Sequence, residues 1–125
     1  MLTMARLGTN DFPRAKLFYD AIAEILGAAR VSEYDTAAGY KGASGGMFMV
    51  GKPRDGEATF GNGSQLGLEA PSRAAVDAAH AKAIELGGTC EGEPGPRGPA
   101  ERNMYAAYFR DPDGNKIMVM KMGAD

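Results

Sequence analysis

Cysteine and histidine, which often act as nucleophile, base or metal ligand, each occur once in this chain, as Cys90 and His80. A catalytic cysteine needs a neighbouring base, and the residues around Cys90 in the sequence supply none. Cys90 is therefore interpreted as a small residue of a strand or loop. His80 lies four residues after Val76 and borders the apolar stripe of a predicted helix, which is typical of a half-buried structural histidine.

The glycine-rich segments carry no phosphate-binding motif. Neither Gly45-Gly46 nor Gly61-Asn62-Gly63 belongs to a G-x-G-x-x-G or G-x-x-x-x-G-K-[ST] loop that follows a strand. The 18 glycines and seven prolines cluster between apolar segments. Because strand patterns resume after each cluster, these clusters indicate loops between short elements.

The composition excludes several classes of partner. The 125 residues are 44% hydrophobic and 24% charged, with a formal net charge of -2 and a pI of about 5.4. A slightly acidic chain of this kind gives no reason to expect the clustered basic surface that binds nucleic acid. No apolar run approaches the roughly 18 residues that span a bilayer. The N-terminus lacks a signal-peptide pattern, and a single cysteine excludes an internal disulfide. We therefore expect a cytoplasmic protein that binds neither nucleic acid nor membrane.

Two helices and eight strands must position any functional side chains. The order strand, helix, three strands occurs twice, with an offset of about sixty residues. It predicts one α+β domain over residues 1–125, with modules at about 1–60 and 61–125. The predicted strands are Leu2–Thr9, Arg30–Asp35, Ala38–Lys41, Gly46–Val50, Ser64–Ala70, Thr89–Glu91, Met104–Arg110 and Lys116–Met122.

Both helices have recognisable beginnings. Asn10 or Asp11 can cap the first, and Pro13 falls in its first turn, where a missing N–H does no harm. Ser72 can cap the second helix. Apolar residues at three- and four-residue steps give each helix one buried face.

The last two strands form the most distinctive segment. Asp111-Pro112-Asp113-Gly114 has the residues of a type I turn, with Asp first, Pro second and Gly fourth. The flanks MYAAYFR and KIMVMKM contain the aromatic, branched and long apolar side chains of a hairpin.

Three segments together resemble the vicinal oxygen chelate superfamily of glyoxalases, bleomycin-resistance proteins and extradiol dioxygenases. They are NDFPRAKLFYDAIAEILG, GNGSQLGLEAPSRAAVDAAHAKAIELGG and YAAYFRDPDGNKI. The centre and the end are most similar to small bacterial glyoxalase-like proteins of uncharacterised activity. The resemblance implies two βαβββ modules that form a cupped, mostly antiparallel eight-stranded sheet with two outer helices.

The resemblance also implies where a metal would bind. Metal-dependent members hold a divalent ion with His, Gln or Glu ligands inside the cup, and these positions fall on Met4, Phe48 or Met49, Gln65 and Met118. Of these residues, only Gln65 suits a hard cation, so we expect no metal and no other cofactor. The methionine thioethers could instead suit Cu(I), although methionine also fills apolar pockets.

Strand alternation then predicts the lining of the cup. Arg6 is in phase with Met4, Glu69 is in phase with Gln65, and Met120 is in phase with Met118. The candidate ligand-binding residues are Met4, Arg6, Met49, Gln65, Glu69, Met118 and Met120. Arg6 could anchor an anionic or carbonyl group. Alternatively, an Arg6–Glu69 ion pair could fill the cup.

Two further features lie near the predicted cup. Tyr105 and Tyr108 must point to opposite faces of their strand, so only one can face the cup. The segment Gly92–Arg102 is predicted to be a loop that either covers the mouth or simply connects strands.

Three functions remain open on these grounds. The first is metal-free binding of a small, partly apolar molecule. The second is catalysis, by a metal-dependent glyoxalase-type lyase or a dioxygenase-like enzyme with a rearranged site, and the third is a structural role. The resemblance also implies a homodimer, for which exposed strand edges give a physical reason.

Overall fold

Each half of the chain forms a four-stranded sheet with one helix packed on it in the computed structural model, which describes residues 1–125. The first module contains β1 (Met4–Gly8), α1 (Phe12–Ile25), β2 (Ala29–Glu33), β3 (Ala37–Lys41) and β4 (Met47–Gly51). The second contains β5 (Leu66–Glu69), α2 (Arg73–Glu85), β6 (Thr89–Arg97), a short 3-10 helix (Ala100–Arg102), β7 (Met104–Arg110) and β8 (Lys116–Met122). The predicted double βαβββ order is confirmed.

The two sheets have the same topology. Their strand orders are β1-β4-β3-β2 and β5-β8-β7-β6. The β1–β4 and β5–β8 pairs are parallel, and all the other neighbouring strands are antiparallel. The predicted eight strands are therefore mostly antiparallel, and they divide into two sheets.

Polar side chains begin both helices as expected. Asp11, rather than Asn10, caps α1, because its carboxylate accepts a hydrogen bond from the Arg14 N–H at 3.2 Å. Ser72 caps α2 by accepting from the Ala75 N–H at 3.0 Å. Neither helix is long and apolar enough to cross a lipid bilayer.

The predicted turn closes the β7–β8 hairpin. The Gly114 N–H donates to the Asp111 carbonyl at 2.9 Å, and Gly114 has a φ of +93°, a conformation that favours glycine. Aspartate at the first position also lets its carboxylate accept from the Asp113 N–H at 3.0 Å. Sequence and local geometry agree closely in this segment.

Strand β6 extends further than predicted. We expected a strand to Glu91 followed by a loop, but pairing with β7 continues to Arg97. Pro94 and Pro96 are tolerated because β6 is an edge strand, where a missing N–H can face away from the ladder. The prediction of a loop from Gly92 is therefore wrong for residues 92–97.

One apolar core joins the two modules. It contains 18 buried residues from both helices and both sheets. Phe18 of α1 packs against Phe109 of β7 with ring centroids 6.0 Å apart, and α1 also contacts α2. The inner face of each sheet, which packs on a helix, therefore contributes to a shared interior.

We expect acid to weaken one surface cluster. Lys16 Nζ lies 2.7 Å from a Glu33 carboxylate oxygen, and Arg30 lies 3.6 Å from the other. The Lys16 hydrogen bond, followed by the Arg30 charge, holds the pKa of Glu33 below its ordinary value of 4.5. Because the folded-state pKa is the lower one, the contribution of Glu33 to stability is present above pH 4.5 and is lost as the pH falls through the folded-state pKa.

This pH dependence is tested by measuring the free energy of unfolding of the parent and of Glu33→Gln with denaturant between pH 3 and 6. The two stabilities should converge as the pH falls. A difference that is constant across this range would contradict the prediction.

Candidate functional site

The face of each sheet turned away from the helices carries the candidate ligand-binding residues. Burial alternates along the strands: on β8, Ile117 and Val119 are fully buried, whereas Met118 and Met120 are half-buried. We call the exposed faces the outer faces. They carry Met4, Arg6 and Met49 in the first module and Gln65, Glu69, Met118 and Met120 in the second.

The structure decides the register of the fourth strand. Phe48 is buried in the core and stacks on Tyr40 with centroids 5.1 Å apart. Met49 is half-buried and pairs with Arg6 across the β1–β4 ladder. Met49, rather than Phe48, is therefore the residue of β4 that lies on the outer face.

On the first outer face, Arg6 lies among methionines, since it pairs with Met49 and is in phase with Met4 on β1. Its guanidinium donates to the Lys52 carbonyl at 2.9 Å, and the residue is otherwise exposed. A Cβ at Gly39 would come within 2.6 Å of Met47 Cε. Glycine at this position therefore leaves space for the methionine side chains.

On the second outer face, an amide contacts a thioether. Gln65 Nε2 lies 3.9 Å from Met118 Sδ, and Met118 pairs with Gly67 and Tyr108 in the neighbouring strands. Lys116 Nζ lies 5.6 Å from the Tyr108 ring centroid. This face thus combines apolar surface with an amide and a cation.

The seven candidate residues form two groups, one on each sheet, and no hydrogen bond or ion pair joins the groups. Within this chain, Arg6 and Glu69 do not form the predicted ion pair, so that prediction is wrong for the single chain. Arg6 instead binds the Lys52 carbonyl, and Glu69 accepts from Ser44 Oγ at 3.5 Å. No charge pair between these two side chains therefore fills the cup within this chain.

Four of the outer-face residues occupy positions where the resemblance implies a metal. The four positions that the family resemblance assigns to metal ligands hold Met4, Met49, Gln65 and Met118, which provide three thioethers and one neutral amide. Mg²⁺ and Mn²⁺ prefer carboxylate, carbonyl and water oxygens, and thioethers select softer ions. The donors at these four positions therefore do not suit a hard divalent cation.

An apolar groove of about 690 Å³, which is not predicted from the sequence, lies between α1 and the edge of β5. Its lining includes Ile22, Leu26, Phe48, Leu66, Leu68 and Lys121. Of the seven candidate residues, only Glu69 borders it. The groove depends on how the two modules meet, so local periodicity contains no signal for it.

The single histidine and the single cysteine are neighbours. His80 is buried with 6% exposure, and its Nε2 lies 3.3 Å from Cys90 Sγ. Cys90 is a residue of strand β6, as predicted, but the fold places beside it an imidazole that the neighbouring sequence does not show. Shielding from water, together with the Glu93 and Glu91 carboxylates, raises the pKa of the Cys90 thiol, so the protein alone does not activate it as a thiolate.

The two tyrosines of β7 point to opposite faces, as predicted. The Tyr105 hydroxyl donates to an Asp77 carboxylate oxygen of α2 at 2.7 Å. Tyr108 lies on the outer face, with the Arg97 guanidinium 5.7 Å from its ring centroid. Tyr108 is therefore the tyrosine available to a ligand on this face.

Comparisons with known proteins agree with this architecture. The family model described as the glyoxalase/bleomycin resistance protein/dioxygenase superfamily matches residues 2–119. A glyoxalase/bleomycin resistance protein from Albidiferax ferrireducens T118 shares 41% identity with a TM-score of 0.88, covering 97% of this chain and 98% of that one.

More distant structures share the fold. A glyoxalase-related enzyme from Fulvimarina pelagi has 16% identity and a TM-score of 0.74, covering 97% of this chain and 87% of that one. A lactoylglutathione lyase from Agrobacterium tumefaciens has 20% identity and a TM-score of 0.64, and the match covers 97% of this chain and 92% of that one. The comparison with curated proteins finds no match. The chain belongs to the glyoxalase/bleomycin resistance protein/dioxygenase superfamily.

Proposed function

We propose that this protein binds a small, partly apolar molecule on its outer faces without a metal ion. The proposal is supported by the residues at the positions that the family resemblance assigns to metal ligands, which are Met4, Met49 and Met118, with only the amide of Gln65 as a polar group. Methionine is flexible and polarisable, so it lines apolar sites that must adapt to a ligand.

The polar groups define the ligand more closely. One guanidinium nitrogen of Arg6 donates a hydrogen bond to the Lys52 carbonyl, and the residue is otherwise exposed. A guanidinium recognises carboxylate, sulfonate or carbonyl oxygen with directed hydrogen bonds. We therefore infer a ligand with an apolar body and one anionic or carbonyl group.

We propose that two copies form the complete cup. Each outer face is open in the single chain, and Met4 is 44% exposed. Apolar side chains that share one open face favour a binding or interaction site. A homodimer would cover these faces, and the first sheet of one copy could then face the second sheet of its partner.

Titration with 1-anilinonaphthalene-8-sulfonate, an apolar dye with one anionic group, tests the proposal. The parent should give saturable fluorescence. Arg6→Gln should weaken binding about tenfold, the value of a charge-assisted hydrogen bond. The matched control is Arg54→Gln, which removes an exposed arginine outside the outer faces and should bind like the parent.

Two outcomes would contradict the proposal. One is the absence of saturable binding, and the other is equal binding by the Arg6 and Arg54 variants. Ala43→Phe, at the apolar groove, locates the dye independently. If this variant removes binding and Arg6→Gln does not, the site is the groove.

The alternative function is that of a metal-dependent lyase or dioxygenase-like enzyme with a rearranged site. The two functions are distinguished by adding Mn²⁺ or Ni²⁺ to chelator-treated protein and measuring Tm, because a bound ion raises Tm as its concentration increases. The Cys90→Ser variant is used so that the single thiol does not bind the added ion. We expect no shift. A shift that Gln65→Ala abolishes would favour the enzyme.

A further inference from the structure

A cluster of three metal-ligand side chains lies on the helix side of the second sheet. It consists of His80, Cys90 and Glu93, and one ligand atom of each lies within 4.8 Å of the other two. Cys90 Sγ is 3.3 Å from His80 Nε2 and 3.4 Å from Glu93 Oε1. These residues are separate from the outer faces, which carry the family's metal positions.

The fold brings the three ligands together through a local irregularity. In a regular strand, residues three apart point to opposite faces and are separated by about 10 Å. The β6–β7 register shifts between Cys90 and Gly92 and again between Gly92 and Gly95. These bulges let the Glu93 carboxylate return to Cys90, beside the face that packs on α2.

His80 is held in place from the core side. It is 6% exposed, and its ring packs edge-on against Phe109 with centroids 6.5 Å apart. Cys90 and the Glu93 side chain, which is 79% exposed, lie toward solvent. The cluster is therefore anchored on one side and accessible to an ion on the other.

The spacing suits a small tetrahedral ion. Zn²⁺ binds Cys sulfur at about 2.3 Å and His nitrogen or carboxylate oxygen at about 2.0–2.1 Å, which puts tetrahedral sulfur and nitrogen ligands roughly 3.5 Å apart. The observed 3.3 and 3.4 Å are close to that separation. A thiolate and a carboxylate would also balance the charge of a divalent ion.

We propose that His80, Cys90 and Glu93 bind Zn²⁺, with a fourth position open to water. The ligand set of one thiolate, one imidazole and one carboxylate matches the preference of zinc for sulfur and nitrogen with a harder third donor. The alternative is that the three side chains only form hydrogen bonds with one another, with Cys90 donating to Glu93, and bind no ion.

Zn²⁺ and Co²⁺ binding to reduced, chelator-stripped protein tests the site. We expect about one zinc per chain by elemental analysis, and thiolate-to-cobalt absorption in the near ultraviolet with Co²⁺. Cys90→Ser should remove that absorption and weaken Zn²⁺ binding at least tenfold, and Glu93→Gln should weaken it at least tenfold. Both changes are at exposed positions, so the fold should be retained.

Two controls fix the location. Glu101→Gln removes an exposed carboxylate of the 3-10 helix, and Gln65→Ala changes an outer-face residue. Both should bind Zn²⁺ like the parent. The proposal is overturned if the parent binds no zinc, if Cys90→Ser and Glu93→Gln bind it as tightly as the parent, or if Gln65→Ala loses it.

Discussion

Replacing Asp111 with alanine should lower the free energy of unfolding by about 3–5 kcal/mol, because it breaks a buried hydrogen-bond network. The Asp111 carboxylate, in a residue 3% exposed, accepts from the Tyr19 hydroxyl at 2.5 Å. It also accepts from the Asn115 backbone N–H and side-chain amide, each at 2.9 Å, and from the Asp113 N–H at 3.0 Å. Removing it leaves several donors unpaired.

This network also connects the two modules. Tyr19 belongs to α1, whereas Asp111 and Asn115 belong to the β7–β8 turn, and the Asn115 amide donates to the Gly8 carbonyl of β1 at 2.9 Å. Loss of the carboxylate should therefore destabilise the contact between modules as well as the turn itself.

Urea unfolding of Asp111→Ala measures the effect. The control is Asp35→Ala, which removes an exposed aspartate and should change stability by less than about 0.5 kcal/mol. Tyr19→Phe should cost about 1–2 kcal/mol, since one hydrogen bond is lost and the turn keeps its acceptor. A loss below about 1 kcal/mol for Asp111→Ala would show that the network relaxes without cost.

Phe109→Ala should lower the free energy of unfolding by about 3–5 kcal/mol through the cavity it leaves. Phe109 is fully buried and contacts Phe18 of the other module and His80 of its own. Because the core is shared, we expect both modules of the predicted single domain to unfold together, in the parent and in the variant.

Circular dichroism and amide NMR signals from each module test that cooperativity. They should give one midpoint, shifted to lower urea by Phe109→Ala. Leu17→Ala, at a helix position 69% exposed, is the matched control and should shift the midpoint little. Separate midpoints for signals from residues 1–60 and 61–125 would mean that the modules are independent domains.

Much of the fold can be predicted because local chemistry encodes it. Ser72 caps a helix by its own side chain, and Asp111 to Gly114 form their turn within four residues. Strands β7 and β8 have the predicted bounds, since alternation along a strand needs no distant partner. The same alternation places Met118 on one face and Ile117 in the core.

The candidate site is different, since its members come from separate elements. The sequence alone identifies Arg6 and Glu69 as polar residues in phase with methionines, but it does not determine whether they meet. In the structure, Arg6 donates to the Lys52 carbonyl, and Glu69 accepts from the Ser44 hydroxyl.

Residue spacing by itself therefore determined the element order, the start of each helix and the β7–β8 hairpin. Only the tertiary structure decided that Phe48 lies in the core and Met49 on the outer face, that the core is shared, and that His80 lies next to Cys90 and Glu93. The physical reason is range: caps, turns and alternation act between near neighbours, whereas bulges and helix packing set distances between segments that are far apart in sequence.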